Sequence, residues 1–174
     1  MVWYSGNLLV ASPILFDPNF ARSVIFIIQH DEDGALGVAL DRPTDEKVTD
    51  HLPTLAGHLA GPDAVFVGGP VEPEVAIGLV RSDAPAVPVP LEGVGILDVT
   101  GGTPEGPCRV FSGYSGWGAG QLEAELEEGA WVVLGAESED LFTPHPTDLW
   151  SRVLRRQGGR LALLASHPGD ATLN

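Results

Sequence analysis

Cysteine is nearly absent from this chain of 174 residues, with Cys108 the only one. A single thiol excludes an internal disulfide and any multi-cysteine metal site, and it suits a reducing compartment. Positive charge is scarce as well. Nine Lys and Arg face 24 Asp and Glu, giving a formal charge of −15 that repels phosphate backbones and anionic lipid surfaces alike. Direct binding to nucleic acid or to a membrane is therefore not expected. Four of the nine basic residues, Arg152, Arg155, Arg156 and Arg160, lie close together near the C-terminus and read as a solvated helix face. No apolar run approaches the length that spans a bilayer, and MVWYSGNLLVASPIL carries no basic residue ahead of its apolar stretch. The expectation is a soluble, cytoplasmic protein. Internal repeats and low-complexity tracts are also missing, which removes solenoid and linker readings.

What the chain does hold is aliphatic sequence in short runs. Hydrophobic residues at 44% against 19% charged argue against disorder, and the length suits one buried core, so residues 1–174 are read as a single domain. SVIFIIQH, DEDG and ALGVAL read as strand, turn and strand of a hairpin. With Asp31 to Gly34 as the turn, His30 faces Ala35, Ile28 faces Gly37, Phe26 faces Ala39 and Val24 faces Asp41. Both faces are then apolar, which places the hairpin at the centre of a sheet. PTDEKVTDHLPTLAGHLAG reads as two short helical pieces parted at Pro53. AVFVGGPV, VAIGLVR, GVGILDV, AWVVLGA and RLALLAS read as further strands. A helix from Asp148 to the Gly158-Gly159 stop presents Leu149, Trp150, Val153 and Leu154 on one face.

The stretch GYSGWGAGQLEAELEEGAW, Gly113 to Trp131, invites a catalytic reading, since a glycine-rich turn from strand to helix serves both nucleophile elbows and phosphate loops. The elbow pattern G-x-S-x-G fails at its last position, where Trp117 stands. A triad of Ser115 with Asp140 or Asp148 and His167 can still be assembled, so a minor serine hydrolase using Ser115 is the runner-up function. The dinucleotide fingerprint fails at Gln121, and the glutamates at 123, 125, 127 and 128 would repel phosphate. His30 with Asp31 and Asp33, or His51 with His58, are read as an acidic turn and an interrupted helix rather than metal ligands. His145 and His167 sit beside prolines as loop residues. No cofactor or metal is called for.

In the same stretch Ala119, Leu122 and Leu126 form the inward stripe of a helix, with Gln121 and Glu125 sharing the adjoining face at i, i+4. Tyr114, Trp117, Gln121 and Glu125 are thus the candidate ligand or partner site, flanking a shallow pocket. The alternative is that Trp117 plugs the core.

Four blocks in order, LLVASPILFDPNFARSVIFIIQHDEDGALGVALDRP, VFVGGPV, GYSGWGAGQLEAEL and LF followed by W, resemble the YqgE/AlgH family over nearly the whole chain. The most specific residues are Asp17, Phe20, Ser23-Val24 and His30, then Gly68-Gly69-Pro70, then Gly113-Tyr114, Trp117 and Gly120 to Glu123. The resemblance implies a compact α+β domain with a bent mixed β-sheet, partly closed into a small barrel and surrounded by helices. It implies no catalytic residues; members are described as uncharacterised or as transcriptional regulators. Two positions depart from the pattern: Asp41 stands where Asn is common, and Val80 where a Leu-His pair is common. The expected function is a non-enzymatic binding or regulatory protein that acts indirectly on gene expression through an unknown small molecule or protein partner. Direct DNA binding, the third reading, is disfavoured by charge, and oligomeric state is left open.

Overall fold

Strand β1 (Asn7–Ala11) and the hairpin β2 (Val24–Asp31) and β3 (Gly34–Ala39) show what a continuous β-branched run dictates: side chains alternate to two faces, and both must be covered. Leu8, Val10, Val24 and Phe26 enter one core; Leu9, Ala11, Ile25 and Ile27 enter another on the opposite face. All eight are fully buried. At roughly 1.5–3 kcal/mol for each large aliphatic or aromatic side chain taken from water, this three-strand centre supplies much of the driving force for folding. The computed structural model describes residues 2–15 and 17–166.

The remaining strands are β4 (Phe66–Val67), β5 (Val71–Arg81), β6 (Val94–Leu97), β7 (Cys108–Gly118) and β8 (Trp131–Gly135). They join one eight-stranded sheet in the order β6-β5-β7-β3-β2-β1-β8, antiparallel throughout, with β4 added in parallel against β7. The sheet is therefore mixed only through that one short pair. It is also open: β6 and β8 end the path without pairing, so the expected partial closure into a barrel is not met. Closure needs edge-to-edge hydrogen bonds. The outer edge of β6 is already taken by the Pro-rich segment before it, where Ile96 N–H donates to Val87 O at 2.7 Å and Val89 N–H to Val94 O at 3.2 Å.

Helices α1 (Val48–His51), α2 (Gln121–Glu127), α3 (Ser138–Leu141), α4 (Leu149–Gln157) and α5 (Gly159–Leu164) flank the sheet, with a 3-10 turn at Pro53–Leu55. As expected, Leu149, Trp150, Val153 and Leu154 are the buried face of α4. Two expectations are corrected. RLALLAS forms α5 rather than a strand, because a short Leu-Ala run bounded by glycine carries no period-2 signal, and Ala and Leu favour helix. The segment from Gly113 to Gly118 is not a turn but the second half of β7; the chain turns only at Ala119-Gly120, where Gly120 has φ 75°.

The hairpin register holds at the turn and slips beyond it. His30 pairs with Ala35, but a bulge at Ile28 puts Ile27 opposite Gly37, Phe26 opposite Val38 and Ile25 opposite Ala39. Asp41 then sits past the ladder, its carboxylate accepting from Val24 N–H at 3.3 Å. Burial pushes that carboxyl up to about 7.

Candidate functional site

At the far end of β7, Trp117 is 7% exposed and packs with Phe20, Leu122 and Trp131 in the second core. Helix α2 places Glu125 beneath both indoles. Its Oε2 accepts from Trp117 Nε1–H at 2.6 Å and from Trp131 Nε1–H at 3.1 Å. A buried indole N–H needs an acceptor, and one carboxylate serves two. Gln121 closes the helix start by accepting from Gly118 N–H at 3.0 Å and donates weakly to Glu125 at 3.4 Å. The structure thus brings Trp117, Gln121 and Glu125 together. Of the expected inward stripe, Leu122 is buried and Leu126 half-buried, whereas Ala119 is exposed because it lies in the turn ahead of the helix. A shallow cavity of about 240 Å³ is walled by Trp117 and by Gln29, Asp31 and Asp33 of the hairpin turn. Tyr114 lies apart from it, its hydroxyl 3.1 Å from Glu72.

Ser115, the would-be nucleophile, is fully buried in mid-strand, and its hydroxyl donates to Gly68 O at 3.0 Å. A hydroxyl spent on a backbone carbonyl and shut away from solvent cannot attack a substrate. Of its proposed partners, Asp140 holds Arg156 through both oxygens at 2.8 and 3.0 Å, Asp148 lies 3.6 Å from Arg152, and His167 falls outside the described residues. Cys108 is no better placed, because burial raises its thiol to about 11.

His30 is buried against Tyr4 and Trp3 rather than sharing a ligand set with Asp31 and Asp33. Its Nδ1 accepts from Tyr4 N–H at 3.1 Å, which fixes the neutral ring's proton on Nε2, 2.5 Å from Glu123 Oε1. Hydrogen bonds from its own backbone and from His30 hold the Glu123 carboxyl below the usual range. His51 lies 3.9 Å from Glu46, an exposed pair. Among the described residues, no group of three or more His, Cys, Asp or Glu is placed to hold a metal ion.

The middle of β7 carries a different arrangement. Val71 pairs with Tyr114 and Ala76 with Ser112, so the four residues Glu72 to Val75 bulge out opposite Gly113 alone. Glu72 takes φ 46°, costly for a residue with a side chain. Gly113 has φ 68°, and a Cβ there would lie 2.7 Å from Gly69 O and 2.8 Å from Val71 O. Likewise a Cβ on Gly68 would lie 2.3 Å from Gly113 O. The Gly-Gly-Pro and Gly-Tyr motifs are therefore the two sides of one backbone crossing, and glycine is what lets the strands touch. Beneath the bulge and beside α1 the crossing leaves an apolar cavity of about 380 Å³. Leu52, Val65, Val75, Val99 and Val110 supply its apolar wall, and Glu46, His51 and Glu74 stand at its polar margin.

A second cleft, about 360 Å³, lies between β5, α3 and α4 and is lined by three arginines and three carboxylates. Its charges are spent on each other. Arg156 meets Asp140 and Glu137, Arg81 meets Glu139 at 3.0 Å, and Arg152 donates to Thr143 at 3.0 Å. Behind the wall, the buried Arg109 guanidinium donates to Leu141 O, Thr143 O and Gly61 O, and burial lowers it to about 10. This region is a charged joint between layers, and it accounts for two members of the C-terminal arginine group, Arg152 and Arg156.

The AlgH-like family model matches residues 8–162. The chain belongs to the AlgH-like family. A UPF0301 protein of Streptomyces coelicolor is 45% identical over 98% of this chain and 95% of its own length. A UPF0301 protein of Thermobifida fusca is 43% identical over the same shares. Among solved structures, the crystal structure of a Corynebacterium diphtheriae protein matches with TM-score 0.85 and 30% identity, covering 94% of this chain and 92% of that one. The solution structure of the AlgH protein from Pseudomonas aeruginosa matches with TM-score 0.72 and 30% identity over 98% and 97%. None of these names carries an activity. Among the described residues no helix of this AlgH-like chain is long and apolar enough to cross a membrane.

The cavity beneath the bulge went unseen in the sequence, where residues 72–74 merely separate the runs AVFVGGPV and VAIGLVR. One signal was available: Pro73 inside a run that otherwise pairs as strand marks an edge or a bulge. That the bulge roofs a cavity depends on α1, which no local pattern places against β7.

Proposed function

We propose that this AlgH-like chain is a non-enzymatic binding protein of the cytosol that acts indirectly on gene expression, and that its ligand site is the apolar cavity beneath the β5 bulge. One observation carries the reading: an apolar space of about 380 Å³, within the range of small-molecule sites, built by strained backbone and margined by a few polar groups. The buried and bonded Ser115 removes support from the hydrolase alternative. The acidic surface, with two of the C-terminal arginines held by neighbours, argues against direct DNA binding.

Amide chemical shifts on titration with 2-phenylethanol, a neutral apolar probe, test the site. Saturable shifts at Val75, Ala76, Val110 and Ser112 are expected. Shifts spread evenly over the surface, or none at millimolar probe, would overturn it.

A second reading keeps Tyr114, Trp117, Gln121 and Glu125 as a partner-binding surface, supported at Trp117 alone of the four by the shallow cavity beside it. Gln121→Ala should then abolish capture of a cytosolic partner by the immobilised protein without lowering its melting temperature. Retained capture would leave that surface as scaffold.

A further inference from the structure

The cavity beneath the bulge has a polarity of its own, and it bears on which ligand the site takes, granting that it is the ligand site. Its wall is apolar, so the body of the ligand must be apolar. The hydroxyl donors at its margin are already spent. Ser112 donates to Pro73 O, and Thr100 Oγ1–H donates to Asp98 at 2.8 Å. What remains at the margin is negative. Glu74 is exposed and its carboxylate has no hydrogen-bond or ion partner among the described residues, and Glu46 has only the exposed His51 at 3.9 Å. No Lys or Arg lines the space. A carboxylate or phosphate ligand would meet two like charges and only His51 as a donor, within a protein of formal charge −15. A cation meets free acceptors there and a favourable field.

We infer that the cavity selects a small apolar amine, its hydrocarbon body against Val75, Val99 and Val110 and its ammonium group at the carboxylates of Glu74 and Glu46. Neutral apolar molecules enter by the same wall but gain nothing at the margin. Anionic isosteres are rejected, and discrimination by charge is what the two glutamates add.

The test titrates the full chain at low ionic strength with 2-phenylethylamine, 2-phenylethanol and phenylacetate, three probes of one shape and different charge, followed by amide shifts at Val75, Ala76 and Ser112. The amine is expected to bind at least tenfold tighter than phenylacetate and several-fold tighter than the alcohol, with the advantage shrinking in 0.5 M salt. The double variant Glu46→Gln, Glu74→Gln should lose that preference while holding the alcohol as before and melting at the same temperature. Equal binding of amine and alcohol would overturn the charge assignment and leave the cavity as a ligand site. Binding of none of the three would overturn both. A Lys-Phe-Lys peptide amide binding more than tenfold tighter than the amine would overturn the small-ligand assignment in favour of a protein partner.

Discussion

The middle of β7 and its Gly118 end do opposite things with the same kinds of residue. At the Gly118 end, aromatic rings and acidic side chains face one another and exhaust each other: Glu125 takes both indole N–H groups and Gln121 takes the last backbone N–H before the helix. At mid-strand, around Gly113, glycine lets two backbones cross, the neighbouring strand is thrown outward, and a hollow remains with an unspent carboxylate beside it. Polar groups beside aromatics therefore do not by themselves make a site. What distinguishes one is whether the groups still have bonding capacity after the fold has used them.

The sharpest way to break this contrast is to damage one region and read the other. Trp117→Ala should cost about 3–5 kcal/mol, as truncation of a buried aromatic does. Thermal melting would then fall on the order of 10 °C for a chain of this size. Binding of 2-phenylethanol beneath the bulge should persist below the new midpoint; its loss would show that the two regions are coupled.

Glu125→Ala should cost about 1–3 kcal/mol by leaving two indole donors without an acceptor. Glu125→Gln, which keeps an acceptor oxygen, should recover most of that, and chemical denaturation of the pair measures the difference. If the alanine variant were as stable as the native chain, the polar groups at this end would not be exhausted by the fold.

Asp41 lies at neither end of β7 and offers a control through pH. Its carboxyl is raised in the fold from 3.8 to about 7, so the folded state holds the proton more tightly than the unfolded chain does. The stability it contributes is full below pH 3.8, is lost as pH climbs from there to 7, and stays lost above. Asp41→Asn should therefore gain on the native protein steadily between pH 4 and pH 7, melting roughly 2–4 °C higher at pH 8 for each kcal/mol recovered. A difference that does not change with pH would place the carboxyl in water. The smallest effect on stability is expected from Val75→Ser, at a partly exposed position on the bulge: within about 0.5 kcal/mol. Its affinity for 2-phenylethanol should nonetheless drop several-fold, by calorimetric titration.

The central hairpin was legible because its residues leave little choice: two apolar faces require two cores, and both are there. Its register was legible only to Ile28. A run that is apolar at every position looks the same when slipped by one, so the bulge left no trace in the pattern. The glycines from 113 to 118 misled for a related reason. Glycine marks both turns and close contacts, and the sequence does not say which; here Gly113 answers to Gly69 across a crossing, while only Gly120 turns the chain. Helix α2 and its polar face were legible from i, i+4 spacing. That Glu125 reaches two indoles was not, since Trp131 meets it only after the strand returns.

The order of strands in the sheet also bears on how the chain is made. As the chain is synthesised, β2 soon follows β1 and covers one of its edges, but the other edge of β1 belongs to β8, roughly 120 residues later. At about 5–20 residues per second, that edge waits some 6–24 seconds during synthesis. Leu8, Leu9 and Val10 are apolar toward both faces, so the nascent chain carries an unpaired, adhesive strand until β8 has been made. Between β1 and β8, biosynthesis of this protein is thus exposed to aggregation, and it is relieved by the five residues Trp131 to Gly135.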